Sequence, residues 1–236
     1  MRINLFGLFC LLSLAVSAQT SFLRISEDQA MTLAAAQGDF IILDFYANWC
    51  GPCKAMDGEV WSRDTVKAIQ RNFVNVRLDG SASFAPFKRY GVSSIPALII
   101  MDANGNEYAR YVGYLKEDEV LEILADFPRD MSGPYAADIV SQEQPTAFSS
   151  HLLRARHYQK VARQAGGAVA VKLAHQSNVS VEQAMGVLGD KAEQSASMVQ
   201  YLELMQAENL ILKGRAKKAL KALAALEKGL DNRHIA

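Results

Sequence analysis

The chain predicts an α/β fold followed by a smaller all-α region, and three observations carry that expectation. Short apolar runs alternate with amphipathic stretches as far as about Phe127. Two runs, Phe40-Ile41-Ile42-Leu43-Asp44-Phe45-Tyr46 and Ala97-Leu98-Ile99-Ile100-Met101, are rich enough in large apolar side chains for a sheet covered on both faces. Past Pro145 the composition turns to Ala, Leu, Gln and Lys, with no Trp or Cys and Phe148 the only Phe.

Taken in order, Ser21 to Ile25 reads as a first strand, and Ser26-x-x-Gln29 as a capping box opening a helix to about Gln37. Gly38-Asp39 stops it, and Phe40 to Tyr46 is the buried strand. A helix is expected from Lys54 to about Gln70. Phe73 to Leu78 alternates as a strand and stops at Asp79-Gly80. Phe84 to Tyr90 reads as a short helix and Ala97 to Met101 as a strand. Asn104-Gly105 supplies the turn into Glu107 to Val112. Leu115 to Phe127 is amphipathic and closes the α/β part. A β-α-β half with parallel strands, then a hairpin and a last helix, gives a central mixed sheet with helices on both faces.

The expected division is an export signal over 1–18, the α/β domain over 19–128, a linker over 129–145 and a helical domain over 146–236. The linker follows from Gly133-Pro134, Gln144-Pro145 and the lack of a sustained period. Beyond it, Phe148, Leu152, Ala155, Ala162, Ala165 and Val169 keep a helical period, with a break at Gly166-Gly167. Ser180-x-x-Gln183 and Asp190-x-x-Glu193 resemble capping boxes. Met198, Leu202, Met205 and Leu212 mark one face of a helix ending near Gly214; Ala219, Leu223, Leu226 and Leu230 mark the next. The last two form an αα-hairpin, which slightly resembles a tetratricopeptide unit without a second copy at the ~34-residue period.

Residues 1–18 have the layout of an export signal. Arg2 gives the positive start, Leu5 to Val16 the apolar core, and Val16-Ser17-Ala18 the small-residue cleavage site. The apolar run is short for a membrane span, which needs ~20 residues, although a retained anchor is the alternative. Cleavage removes Cys10 and leaves Cys50 and Cys53 as the only thiols. Two cysteines cannot supply four zinc ligands, and His151, His157, His175 and His234 lack metal spacing, so neither a metal nor another cofactor is expected. Net charge is zero but uneven: Lys and Arg outnumber Asp and Glu from about Phe148 onward. Either these are two ordinary solvated surfaces, or the halves attract each other or an acidic partner. No basic cluster is dense enough for nucleic acid.

The chemistry centres on Trp49-Cys50-Gly51-Pro52-Cys53-Lys54, at the junction of a buried strand and a helix. There, unpaired N–H groups and the helix dipole favour a thiolate on Cys50, the attacking sulfur and the more exposed of the two. Cys53, inside the first turn, resolves the mixed disulfide. Gly51-Pro52 shapes the intervening loop, though proline is favoured at a helix start in any case. Asp44 interrupts an apolar strand six residues before Cys50. It is either a base for Cys53, with its pKa raised by burial, or a strand-end residue that reaches solvent or caps a neighbour. Pro96 either begins a strand or is a cis-proline beside the dithiol, where Ile95 pairs with extended substrate.

Asp44-Phe45-Tyr46-Ala47-Asn48-Trp49-Cys50-Gly51-Pro52-Cys53-Lys54, with Ser94-Ile95-Pro96 and Val112-Gly113, resembles the thioredoxin family over residues about 22–127. The resemblance implies the thioredoxin-like fold, a reactive first cysteine, a buried aspartate and a cis-proline. It also implies an apolar docking rim of Trp49, Gly51, Pro52, Ile95, Pro96 and Gly113. Glu59 to Val66 is more similar to the exported thioredoxin-like domain of a bacterial transmembrane thiol reductase than to cytosolic thioredoxin. Two departures stand out. Asn75 occupies the place of a lysine near the buried aspartate, and Gly58 that of a helix-kinking proline, so a straighter helix is expected.

These readings imply an exported, periplasmic thiol–disulfide oxidoreductase, of the type that reduces protein disulfides and is recharged by a membrane-embedded thiol reductant. The alternatives are a disulfide oxidase or isomerase, and a helical protein-interaction module with the dithiol as a redox latch. The helical half carries no recognisable catalytic residues.

Overall fold

Strand β1 (Phe40–Tyr46) is almost wholly buried, and the fold is arranged around it. Its side chains alternate between two cores. Phe40 and Ile42 face one, with Met56, Val60 and Leu124; Ile41, Leu43 and Phe45 face the other, with Ala30, Ala34 and Phe87. Residues 22–189 and 195–231 are described by a computed structural model. The expected export signal, Cys10, Ser21, the pattern Asp190-x-x-Glu193, His234 and the Leu230 side chain lie outside that description.

Strand β2 (Phe73–Asp79) pairs parallel with β1, while β3 (Ala97–Met101) pairs antiparallel on its other side and β4 (Glu107–Val112) antiparallel with β3. The order β2-β1-β3-β4 is the mixed sheet expected from the sequence. Of the strand expected over Ser21 to Ile25, a single bridge from Leu23 to Val76 is present.

Helix α1 (Glu27–Gln37) opens with the expected capping box: Ser26 Oγ accepts the Gln29 N–H, and Gln29 Oε1 accepts the Ser26 N–H. It closes on Gly38 at φ 76°, where a Cβ would lie 2.9 Å from the Ser132 nitrogen. Glycine is needed there for backbone hand and for close approach.

The helix expected from Lys54 to Gln70 is instead three pieces. Helix α2 (Gly51–Met56) runs into a π-helical turn (Asp57–Trp61), and α3 (Asp64–Gln70) starts after a break at Ser62-Arg63. Gly58 lies inside the π turn, so loss of the kinking proline has not straightened the segment. Helices α4 (Ala85–Arg89) and α5 (Glu117–Ala125) fall within their expected ranges.

The expected linker contains helix α6 (Ser132–Glu143), with Pro134 in its first turn. Its polar contacts hold it to the sheet. The Met131 N–H donates to Gly38 O, and Tyr135 Oη donates to Asp39 O while accepting the Ala103 N–H. Helices α7 (Phe148–Ala162) and α8 (Gly167–Leu188) follow, with the expected break between them. Ser180 caps nothing: it is buried within α8, donates to Gln176 O and accepts from Arg154. Arg154 also bonds Asp138 of α6, and Tyr158 Oη donates to the same carboxylate. Helices α9 (Ala196–Leu212) and α10 (Ala216–Asp231) form the expected hairpin around Gly214, at φ 69°.

Tyr158, Val161, Val169 and Leu173 belong to the same apolar cluster as Phe40, Tyr108 and Phe127. The first helices beyond α5 therefore complete the core under one face of the sheet. Leu173→Ala is expected to cost about 2–5 kcal/mol. Because the core is shared, denaturant unfolding followed by tryptophan fluorescence, which reports on Trp49 and Trp61 in the α/β part, should shift to lower midpoint.

Candidate functional site

Loops at one end of the sheet bring the expected dithiol and rim residues together, while Asp44 lies within β1. Chain leaving β1 passes through Ala47 to Cys50, which caps α2. The Cys50 Sγ accepts the Cys53 N–H at 3.2 Å, and Cys50 O accepts the Lys54 N–H. Pro52 sits in the first turn, where its missing N–H leaves no bond unmade. Cys50 and Cys53 are joined as a disulfide with Cα atoms 5.3 Å apart.

The sulfur pair is better covered than expected. Cys50 is 4% exposed and Cys53 3%, because the pair packs with Ala47 against Tyr46 and Ile95. What projects beside it is Trp49, 65% exposed, with Gly51 and Pro52 also open. The Ile95-Pro96 peptide is cis, Ile95 is half-buried and Pro96 buried. Gly113 follows the end of β4, and its N–H donates to Pro96 O at 2.8 Å. The six expected rim residues thus surround the dithiol, five of them with accessible surface.

Asp44 is buried, and the strand-end alternative does not apply. Its neighbour in register on β2 is Arg77, not Asn75. Arg77 donates to Asp44 Oδ2 through Nε at 2.8 Å and Nη2 at 2.6 Å, and Nη2 also reaches Asp57 Oδ1 at 2.6 Å. Its guanidinium lies 4.5 Å from the Phe22 ring centroid and 4.6 Å from that of Tyr46, a cation–π sandwich that fixes its plane. Asn75 turns away to donate to Gln70 O and Phe73 O.

Burial pushes the Asp44 carboxyl up to about 6, with the Arg77 charge and hydrogen bond working in the opposite direction. Burial also works against the Arg77 charge, but Asp44 and Asp57 more than offset it and hold its pKa above the ordinary value. The group is a carboxylate–guanidinium–carboxylate chain running from the buried strand to the half-exposed Asp57.

Sequence reasoning missed Arg77 and Asp57. The signal for Arg77 was available: pairing β1 and β2 in parallel puts a polar β2 position on the Asp44 face, and Asn75 and Arg77 share that parity. Also missed were Val112 and Tyr114, exposed on either side of Gly113. Tyr114 Oη donates to Glu59 Oε2 at 2.7 Å, tying this loop to the π turn. Phe84 is another exposed apolar residue, on the loop whose Ser81 Oγ accepts the Asn48 N–H. Among the described residues no group of His, Cys, Asp or Glu could hold a metal ion.

Residues 27–128 match the family model for a thioredoxin-like domain. The thiol:disulfide interchange protein DsbD of Ralstonia nicotianae is 35% identical over 102 residues, 41% of this chain and 17% of that protein. Thioredoxin of Chlamydia muridarum is 35% identical over 86 residues, 36% of this chain and 79% of that protein. The C-terminal domain of Neisseria meningitidis DsbD in the oxidised form superposes at TM-score 0.37 with 23% identity, covering 44% of this chain and 96% of that one. The chain thus spans about a sixth of the length of its DsbD relatives, 17%. It belongs to the thioredoxin family, and residues 27–128 form its thioredoxin-like domain.

Proposed function

We propose that this protein is an exported, periplasmic reductant of protein disulfides that works through the Cys50/Cys53 dithiol. The observation that carries the reading is the Cys50–Cys53 disulfide at the N-terminus of α2, framed by the Trp49 and Ile95-Pro96 loops. Export is inferred from the signal-like residues 1–18. The reducing direction is inferred from Cys-Gly-Pro-Cys, which resembles the reducing end of the family.

In the reduced enzyme the Cys50 thiolate accepts the Cys53 N–H, and the helix end favours its negative charge. It attacks one sulfur of a substrate disulfide and expels the other as a thiolate. The substrate segment lies along Trp49, Gly51, Pro52, Ile95, Pro96 and Gly113. Cys53 then gives its proton to Asp44, directly or through water, and attacks Cys50 Sγ. The second substrate thiolate leaves, and the bonded pair seen in the structure is the product state. A membrane-embedded thiol reductant returns the two electrons.

Asp44 suits this role because its pKa of about 6 leaves it ionised, yet a competent proton acceptor, near neutrality. Arg77 is the positioning residue: it counters the effect of burial and holds the carboxylate in place. The helical half does not line the substrate surface. Its side-chain hydrogen bonds to the α/β part, at Asp39, Ala103, Asn104 and Glu107, lie at the end of β1 opposite the dithiol. Seven strand residues separate these ends, about 20 Å.

Three outcomes are expected. Cys50→Ser should abolish disulfide reduction, while Cys53→Ala should accumulate disulfide-linked envelope proteins on Cys50, identified by mass spectrometry after non-reducing separation. Titration against glutathione should give a potential near the reducing end of the family's span of about −270 to −120 mV, and a strongly oxidising couple overturns the direction. The third outcome concerns pH. A carboxyl whose folded pKa is about 6 against an ordinary 3.8 contributes stability that is complete below the ordinary value and lost as pH rises through 6. Asp44→Asn should therefore gain stability relative to the native oxidised chain between pH 4 and 7, by about 2–3 kcal/mol, while slowing resolution by Cys53. A flat difference across that range sinks the buried-base assignment.

A further inference from the structure

The tip of the α9–α10 hairpin is the most basic stretch of the chain. Residues 211–221, Ile-Leu-Lys-Gly-Arg-Ala-Lys-Lys-Ala-Leu-Lys, hold five cations and no Asp or Glu. Arg215, Lys217, Lys218 and Lys221 are exposed, and none is ion-paired among the described residues. Two large aliphatic side chains stand among them: Ile211, 53% exposed, at the end of α9, and Leu220, 66% exposed, on α10.

Helix α10 explains the placement. Ala219 is buried and Ala222, Leu223 and Leu226 are half-buried, so this face meets α9. The outward stripe is Lys217, Leu220, Lys221, Ala224 and Lys228, at the i, i+3, i+4, i+7 and i+11 positions of one helix face. Aliphatic side chains flanked by lysines on an outward helix face are what an interfacial amphipathic helix presents to lipid. The charge of the whole chain is distributed to match. From Phe148 onward there are 13 Lys and Arg against seven Asp and Glu, and before it 12 against 18.

We propose that the α9–α10 tip docks peripherally on an anionic phospholipid surface, Ile211 and Leu220 entering the headgroup boundary while the surrounding cations meet phosphate and glycerol-phosphate groups. Among the described residues no helix is long and apolar enough to cross a membrane. Headgroups fit better than an acidic protein. Side chains as open as Leu220 project from the surface instead of lining a groove, and long lysine stems match laterally mobile charges. Single-stranded nucleic acid would call for aromatic stacking groups, and residues 211–221 contain none.

The test is co-sedimentation of the full chain with phosphatidylcholine vesicles, with and without phosphatidylglycerol. Binding is expected only to the anionic vesicles, weakening as salt rises. Lys217→Glu with Lys221→Glu should lower the partition coefficient roughly tenfold or more, while Arg71→Glu at the C-cap of α3, a charge-changing control, leaves it within about twofold. Leu220→Ser should lower it several-fold with little change in salt dependence. Circular dichroism of each variant separates lost binding from lost helix. No binding, equal binding to both vesicles, or full binding by the lysine double variant each overturns the proposal. So does an acidic peptide bound in place of vesicles. Cys50→Ser should bind vesicles as the native chain does, so this test and that of the dithiol fail independently.

Discussion

A carboxylate in the middle of a strand buried on both faces is the constraint that organises the α/β part. Asp44 cannot reach solvent, and a lone ionised carboxyl there would be costly. The parallel register of β1 and β2 sets Arg77 directly beside it, and the flanking Phe22 and Tyr46 rings limit where the guanidinium can lie. Asp57, from the turn that follows the dithiol helix, shares the guanidinium through Nη2. One arginine therefore ties the central strand, its parallel neighbour and the helix bearing Cys53. An ion pair of this kind adds little net stability over apolar packing, and its plain effect is on the carboxyl, whose burial-raised pKa Arg77 draws back down.

The π turn belongs to the same arrangement. An extra residue in the helical ladder rotates the following side chains, which is the usual consequence of such a turn near a site. Here Asp57 begins the turn and faces Arg77, Glu59 reaches Tyr114 beside Gly113, and Val60 and Trp61 enter the core. A regular helix of the same sequence would not carry all four groups to these places. The same segment thereby connects the carboxylate chain, the Gly113 loop and the sheet.

Much of this was legible in the sequence where local chemistry decides the outcome. The Ser26/Gln29 box, the β1 run, the Asn104-Gly105 turn and the Gly214 hairpin appear as written, since each depends on neighbouring residues alone. The dithiol and its rim were legible because their motifs are specific. The failures are non-local. Helix α6 lacks a strong amphipathic period, and its Tyr135 and Asp138 earn their positions through contacts with Asp39, Ala103, Asn104 and Arg154. Ser180 looked like a cap, yet Arg154 and the Gln176 carbonyl claim its hydroxyl within a helix. Family position pointed to Asn75 beside the buried aspartate, whereas strand register sets Arg77 there.

Helix α6 over Ser132–Glu143 bears on what the helical half can do. A tether would give reach, whereas α6 to α8 share apolar core with the sheet and fix direction. The acidic excess before Phe148 and the basic excess after it then act as a molecular dipole with its positive end in the helices. Near an anionic surface, attraction of the hairpin and repulsion of the acidic half turn the molecule the same way. Screening limits this to about 10 Å at moderate salt, so it orients the protein only at close approach.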